Sequence, residues 1–189
     1  MSDLAAEVAG CRACRLAETR KLPVFGEGNP DSGVVFVGEG PGQTEDETGR
    51  PFVGRAGQLL DRILASIDLD RTCCYIANAV KCRPPGNRVP LPDEMEACGW
   101  ILERQLEIIS PGVIVALGAS AASALLGSRA SIAQLRVGWH SRGEASLMVT
   151  YHPSAVLRTP ALKRPVWEDM KKLRSRLNEI GLPRRSGNG

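Results

Sequence analysis

Four short runs rich in β-branched and other apolar residues punctuate the chain: GVVFV (33–37), CYIANAV (74–80), VIVAL (113–117) and SLMVTY (146–151). Between them, apolar residues recur at three- and four-residue spacing. Leu59, Leu60, Ile63, Leu64 and Ile67 form one such set; DEMEACGWILERQLEII and ASAASALL supply others. Short apolar runs bounded by turn residues read as buried strands, and the stretches between them read as helices. Strands that alternate with helices pair most readily in parallel, with the helices covering both faces of the sheet. The pattern therefore predicts an α/β fold with a mostly parallel sheet. A chain of 189 residues has room for one such core. Residues 1–180 are expected to form a single domain. A further helix is expected over 2–17 and another over about 164–180, with residues 181–189 as a basic, flexible tail.

The apolar stretch 113–127 is too short to span a bilayer and is broken by glycine and serine. The opening MSDLAAEV has neither the basic nor the apolar segment of a secretory signal, so a cytoplasmic, membrane-free protein is expected. The net charge of +3 is unevenly spread, with nine of the Lys and Arg residues but only three acids falling in 158–189. Such an end reads first as a solvated helix face, and it also attracts polyanions.

In parallel sheets, ligands bind beyond the carboxyl ends of the strands. Three unusual segments fall there: GEGPGQTED after the first strand, Asn78 near the end of the second, and HPS after the fourth. Phe52, one of only three phenylalanines, closes the first of these loops. Their position argues for one shared site.

The six cysteines stand at 11, 14, 73, 74, 82 and 98. Cys11 and Cys14 form a C-x2-C pair, and Cys82 and Cys98 add two thiols at wider spacing. Four thiolates suit either structural zinc or an iron–sulfur cluster, and the spacing does not choose between them. Cys73 and Cys74 are neighbours on a strand and point to opposite faces. Cys74 reads as a small buried hydrophobe.

Taken together, the stretches CRAC, VFVGEGPGQTEDETGRPFVGRAGQLLDRIL, YIANAVKCRPPGNRVPLPDEMEAC and TYHPSAVLR resemble the family 4, iron–sulfur uracil-DNA glycosylases, in family order and over most of residues 11–170. The resemblance implies a three-layer α/β/α fold around a four-stranded parallel sheet. It implies a [4Fe-4S] cluster on Cys11, Cys14, Cys82 and Cys98. It also implies cleavage of the N-glycosidic bond of deoxyuridine in single- or double-stranded DNA, leaving an abasic site. A monomer is expected.

Under that reading the residues acquire roles. An extruded base needs a pocket and an aromatic face, which Phe52 supplies. The carboxamide of Asn78 can accept from uracil N3–H and donate to O4, a pairing that cytosine cannot match. His152 can stabilise the charge that grows on uracil O2. Glu39 helps water or the sugar cation, main-chain groups at Gly40 bind the base, and Glu45 crowds C5 against a thymine methyl. In related GQDPY-type enzymes an aspartate holds the place of Gly40 and orients water; here that side chain is missing. Val156 or Leu157 is the expected DNA wedge, and Arg158, Lys163 and Arg164, with Arg83 and Arg88, the expected phosphate contacts. Asp46 and Glu47 read as solvated loop residues, and His140 as a solvated residue of a polar turn. Two other functions share parts of the pattern. One is a non-turnover uracil-DNA binder that traps the abasic sugar through a histidine, although the 83–96 region carries none. The other is an iron–sulfur electron carrier, which would leave Phe52, Asn78 and His152 unexplained.

Overall fold

The computed structural model describes residues 1–182; the end of the expected basic tail, 183–189, lies outside the described residues. Six strands form one sheet: β1 (Glu27–Gly28), β2 (Val34–Gly38), β3 (Tyr75–Asn78), β4 (Val113–Leu117), β5 (His140–Arg142) and β6 (Ala145–Thr150), in the order β1-β3-β2-β4-β6-β5. The inner four, β3-β2-β4-β6, are parallel. The two short edge strands are antiparallel additions to the expected four, each pairing over two or three residues. His140 accordingly lies in β5 rather than in a polar turn, with its Nε2 2.7 Å from the Leu135 carbonyl.

The inner strands are apolar on both faces, as a doubly covered parallel sheet requires. On one face Val34, Phe36, Val113, Val115 and Met148 pack beneath three helices: α4 (Arg55–Ala65), α8 (Pro153–Arg158) and α9 (Lys163–Glu179). On the other, Val35, Val37, Ile114, Ala116, Leu147 and Val149 pack with α5 (Pro92–Ile109), α6 (Ala119–Leu126) and α7 (Ile132–Leu135). A third apolar cluster joins α1 (Ser2–Ala9) and α2 (Leu16–Thr19) to α5 and to the segment after β3 through Leu4, Val8, Leu16, Val80 and Ile101. The N-terminal helix is thus two pieces, with Cys11 and Cys14 in the break between them. Among the described residues no helix is long and apolar enough to cross a membrane.

The chain after β2 moves to one side to form β3, then crosses to the other side for β4. A crevice opens at the carboxyl ends where the order reverses. The glycine-rich segment entering it contains one more helix than the sequence suggests, α3 (Gln43–Thr48). Asp46 on α3 is buried rather than solvated, because its Oδ1 accepts the Lys21 backbone N–H at 2.9 Å. Beyond α3, Phe52 adopts a left-handed backbone, φ 53°. That conformation is held from outside: the Arg71 guanidinium donates to the carbonyls of Pro51, at 2.9 Å, and Phe52.

Gly57, in the first turns of α4, lies against the Phe52 main chain so closely that a Cβ there would overlap the Phe52 carbonyl. Gly57→Ala is therefore expected to destabilise the protein by about 1–3 kcal/mol through overpacking and to lower Tm by several degrees. Its near-UV circular dichroism should also change as Phe52 moves. Unchanged values for both would contradict this account of the Phe52 turn.

Candidate active site

The crevice is a cavity of about 600 Å³, lined among others by Glu39, Gly40, Glu45, Phe52, Asn78, His152 and Arg158. Three loop systems meet there. Gly38 ends β2 opposite Asn78 at the end of β3. A side chain at Gly38 would collide with both the Phe52 ring and Asn78 Oδ1, so the missing Cβ lets ring and carboxamide rest side by side on the strand end. The His152 ring lies against the Phe52 ring, with centroids 5.5 Å apart and planes tilted by 32°. The phenyl ring, carboxamide and imidazole therefore share one cavity.

Each group has a distinct chemical state. Asn78 is buried, and its Oδ1 finds no hydrogen-bond partner among the described residues. Leaving a buried carbonyl unpaired costs on the order of 1–3 kcal/mol, and this oxygen is packed against Gly38. His152 stands just before α8 and caps it: the Ser154 backbone N–H donates to Nδ1 at 3.1 Å, and Ser154 Oγ lies 2.8 Å from the same atom. Because Nδ1 accepts, the neutral ring carries its proton on Nε2. Burial, with help from the Arg158 charge and against the pull of Glu45, lowers the His152 pKa to about 4. The imidazole is neutral at physiological pH and offers one N–H.

The two glutamates differ. Ser120, at the start of α6, donates its hydroxyl to Glu39 Oε2, fixing that carboxylate at the cavity wall. Glu45 Oε1 accepts from the backbone N–H groups of Val53, at 2.9 Å, and Gly54, at 2.8 Å. Glu45 thus ties α3 to the turn carrying Phe52, and only its other oxygen remains free of these bonds. Gly40 lines the cavity with its backbone, and a Cβ there would press on Val80 at 2.8 Å.

The rim requires corrections. Val156 is buried in the core at 2 % exposure and cannot act as a wedge; Leu157, 40 % exposed, is the apolar side chain that reaches solvent on α8. The reason is helical phase: Val156 turns inward onto the sheet where its neighbour turns out. Arg158 lines the cavity, and Lys163 and Arg164 are exposed at the start of α9. Arg88 is engaged by Glu94 through two bonds of 2.6 and 2.8 Å, and Arg83 donates to Asn87 Oδ1 at 2.7 Å. Both brace the proline-rich loop. Val89 on that loop is 61 % exposed and also lines the cavity.

Ser120, Ser154, Asn87 and Val89 were not singled out by sequence reasoning. Small polar residues just past a strand or helix start were the available signal for the two serines. For Asn87 and Val89 only the folding of the loop shows their place.

Cys11, Cys14, Cys82 and Cys98 line a second cavity together with Val8, Arg20, Lys81 and Ile101. Among the described residues no group of three or more potential ligands is arranged around a single metal ion. The fit to a multi-thiolate group rests instead on the donor chemistry. The Arg20 guanidinium donates to Cys82 Sγ at 2.8 Å, and the Lys81 backbone N–H donates to Cys98 Sγ at 3.2 Å. Burial pushes the Cys98 thiol up to about 11 and raises that of Cys82 against the Arg20 charge. Such thiols ionise on binding a cation, and N–H···S donors of this kind stabilise the result. Cys73 and Cys74 lie in the sheet core instead, and Cys74, pushed up to about 12 by burial, donates to the Asp70 carbonyl at 3.2 Å.

The chain as a whole is similar to known proteins. The family described as the Uracil DNA glycosylase superfamily matches residues 25–171. A Type-4 uracil-DNA glycosylase of Thermotoga maritima is 48 % identical over 187 residues, covering 96 % of both chains. Its counterpart from Archaeoglobus fulgidus is 44 % identical over 183 residues, covering 92 % of this chain and 91 % of that one. Another from Sulfurisphaera tokodaii is 42 % identical, covering 89 % and 80 %.

The depressed pKa of His152 has a measurable consequence. In an NMR titration its ring resonances should move with a midpoint near pH 4, not near the unperturbed value of about 6.5. Since the unfolded chain binds that proton more readily, the contribution to stability is complete above about pH 6.5 and declines as the pH falls toward 4. His152→Gln should therefore lose less stability than the parent across that window. A midpoint near 6.5 would overturn the burial argument.

Proposed function

The chain belongs to the uracil DNA glycosylase superfamily, and from that premise we propose that it is a DNA-repair hydrolase releasing uracil from deoxyuridine in DNA. The observation that carries the reading is the orphaned Asn78 acceptor beside Phe52 and opposite a neutral His152. Uracil flipped into the cavity stacks on Phe52, gives its N3–H to Asn78 Oδ1 and receives the Asn78 amide at O4. Cytosine presents an acceptor at N3 and an amine at C4, so it leaves the carboxamide mismatched. That mismatch is worth on the order of 1–3 kcal/mol for each unpaired buried group.

In the reaction the C1′–N1 bond breaks and its electron pair leaves with the base. His152 Nε2–H donates to O2, where the charge accumulates; as a neutral donor it stabilises the anion without having to transfer its proton. The Glu39 carboxylate, held by Ser120, faces the developing sugar cation and orients water, whose oxygen bonds to C1′. The water's proton passes to solvent or to the departing base. Glu39 would thus do from its own position what no side chain at Gly40 can. Glu45 keeps the Phe52 turn closed and narrows the pocket near C5. Leu157 fills the gap in the stack, while Arg158, Lys163 and Arg164 hold phosphates on the same side. The protein acts as a monomeric, cytoplasmic single domain over residues 1–180.

A [4Fe-4S] cluster on Cys11, Cys14, Cys82 and Cys98 would serve as a cross-link between the α1–α2 break, the loop leading into α5, and α5 itself. No step of the hydrolysis uses it.

The test incubates purified protein with single- and double-stranded oligonucleotides bearing one deoxyuridine, then treats with alkali. Strand scission at the uracil position is expected. An adduct surviving denaturation would point to covalent trapping, and neither outcome would point to a carrier. His152→Ala and Asn78→Ala should each reduce kcat by about 10²–10³, the cost of removing one oxyanion-type donor or its equivalent, with the brown colour retained. Cys82→Ala should lose the visible absorbance of the cluster. Leu157→Ala should slow cleavage in duplex more than in single strands, whereas Val156→Ala should lower Tm by removing a buried side chain.

A further inference from the structure

Asn78 and Cys82 are four residues apart, and the segment between them links the two cavities. The β2–β3 pairing continues past the strand ends: Ala79 N–H donates to the Gly38 carbonyl at 2.9 Å, and Val80 N–H to the Glu39 carbonyl at 3.1 Å. Lys81 comes next. It is completely buried. Its Nζ donates to the Asn78 main-chain carbonyl and to Gln105 Oε1, both at 2.7 Å. Its backbone N–H reaches Cys98 Sγ, and its carbonyl accepts from Val24 N–H at 2.7 Å. Gln105 in turn donates to the Phe25 carbonyl at 2.9 Å and the Tyr75 hydroxyl at 3.2 Å.

A buried ammonium is costly unless negative charge answers it. Among the described residues no carboxylate pairs with Lys81, and burial lowers its pKa to about 8; the groups that can answer its charge are the thiols of Cys98 and Cys82 once ionised, in the cavity that Lys81 lines with them. An ammonium placed for packing alone would be replaced at less cost by an apolar side chain of similar length. Here Lys81 lines the thiol cavity, reaches Cys98 through its backbone N–H, and with its ammonium holds the peptide that carries the base-reading carboxamide. The neighbouring Lys81 peptide and Arg20 already supply N–H donors to two of the thiols, so the ammonium adds charge at this centre and a clamp at the pocket.

We propose that Lys81 is a positioning residue that couples the cysteine centre to base recognition, serving as counter-cation to the four thiolates while clamping the Asn78 peptide. This rests on the functional reading above. It predicts that the register of Asn78 Oδ1 against the base depends on a side chain that never touches the base.

The test compares the cluster-loaded parent with Lys81→Met, which keeps the stem and removes the charge and both hydrogen bonds. Binding of free uracil and of an abasic-site oligonucleotide is measured by calorimetry, and bleaching of visible absorbance by a chelator is followed in parallel. Lys81→Met should weaken uracil binding about tenfold, the equivalent of one charge-assisted hydrogen bond. Its abasic-DNA affinity should remain unchanged, and its bleaching should be several-fold faster. Parental uracil affinity would overturn the proposal; so would parallel loss of uracil and abasic-DNA binding, since that marks general loosening. If Lys81→Met does not fold, Gln105→Glu replaces it. This change gives Lys81 a competing carboxylate and should speed bleaching in a protein with parental circular dichroism, and a parental bleaching rate would overturn the proposal. Should the parent itself neither bind nor release uracil, the functional reading falls and this inference with it. Should the parent do both and Lys81→Met match it, only the inference falls.

Discussion

The parallel pairing of β2 with β3 is the constraint on which the rest of the molecule turns. Register places Gly38 opposite Asn78, and two further main-chain hydrogen bonds carry the pairing to Glu39 and Val80. A slip of one residue would turn every side chain to the other face. Asn78 would then point into a helix layer, and Cys82 would leave the cavity shared by the other three thiols. Both sites are therefore consequences of one register, secured by Val34, Val35, Phe36 and Val37 burying alternately on the two faces.

The cavity combines rigid walls with unsatisfied chemistry. Its polar groups are mostly paired within the protein. Glu45, Ser120 and Ser154 are spent on holding backbone or neighbours. Asn78 Oδ1 is the buried side-chain atom left without a partner among the described residues. Asn78 stands at the last residue of β3, with its Oδ1 packed against Gly38. His152 stands at a helix start, where Nδ1 is consumed in capping. Preorganisation of this kind removes the cost of reorienting dipoles during reaction.

The left-handed Phe52 shows how the fold sustains strain at such a place. A positive φ is unfavourable for a bulky residue. It persists because Arg71 binds the carbonyls on that turn, Glu45 binds the next two amides, and Gly57 leaves room for the main chain. The ring is the visible feature, yet its position is decided by residues on two helices and the turn before β3.

Much of this was legible in the chain. Local patterning establishes the four inner strands and the helices between them, because apolar runs and three-to-four spacing are properties of neighbouring residues. Strand ends direct attention to Phe52, Asn78 and His152, since a parallel sheet has only one rim where loops of this kind meet. Other features depended on contacts between residues far apart in the chain. Asp46 reads as solvated until the Lys21 amide closes over it. Val156 and Leu157 are indistinguishable as apolar neighbours until the phase of α8 on the sheet separates them. Lys81 gives no local sign of being buried, because its burial is produced by α1, α5 and the β3 exit closing around it. Composition and periodicity determined the elements and their order. Only tertiary packing decided which polar groups are satisfied and which are left facing the cavity, because satisfaction depends on partners that the linear chain does not bring together.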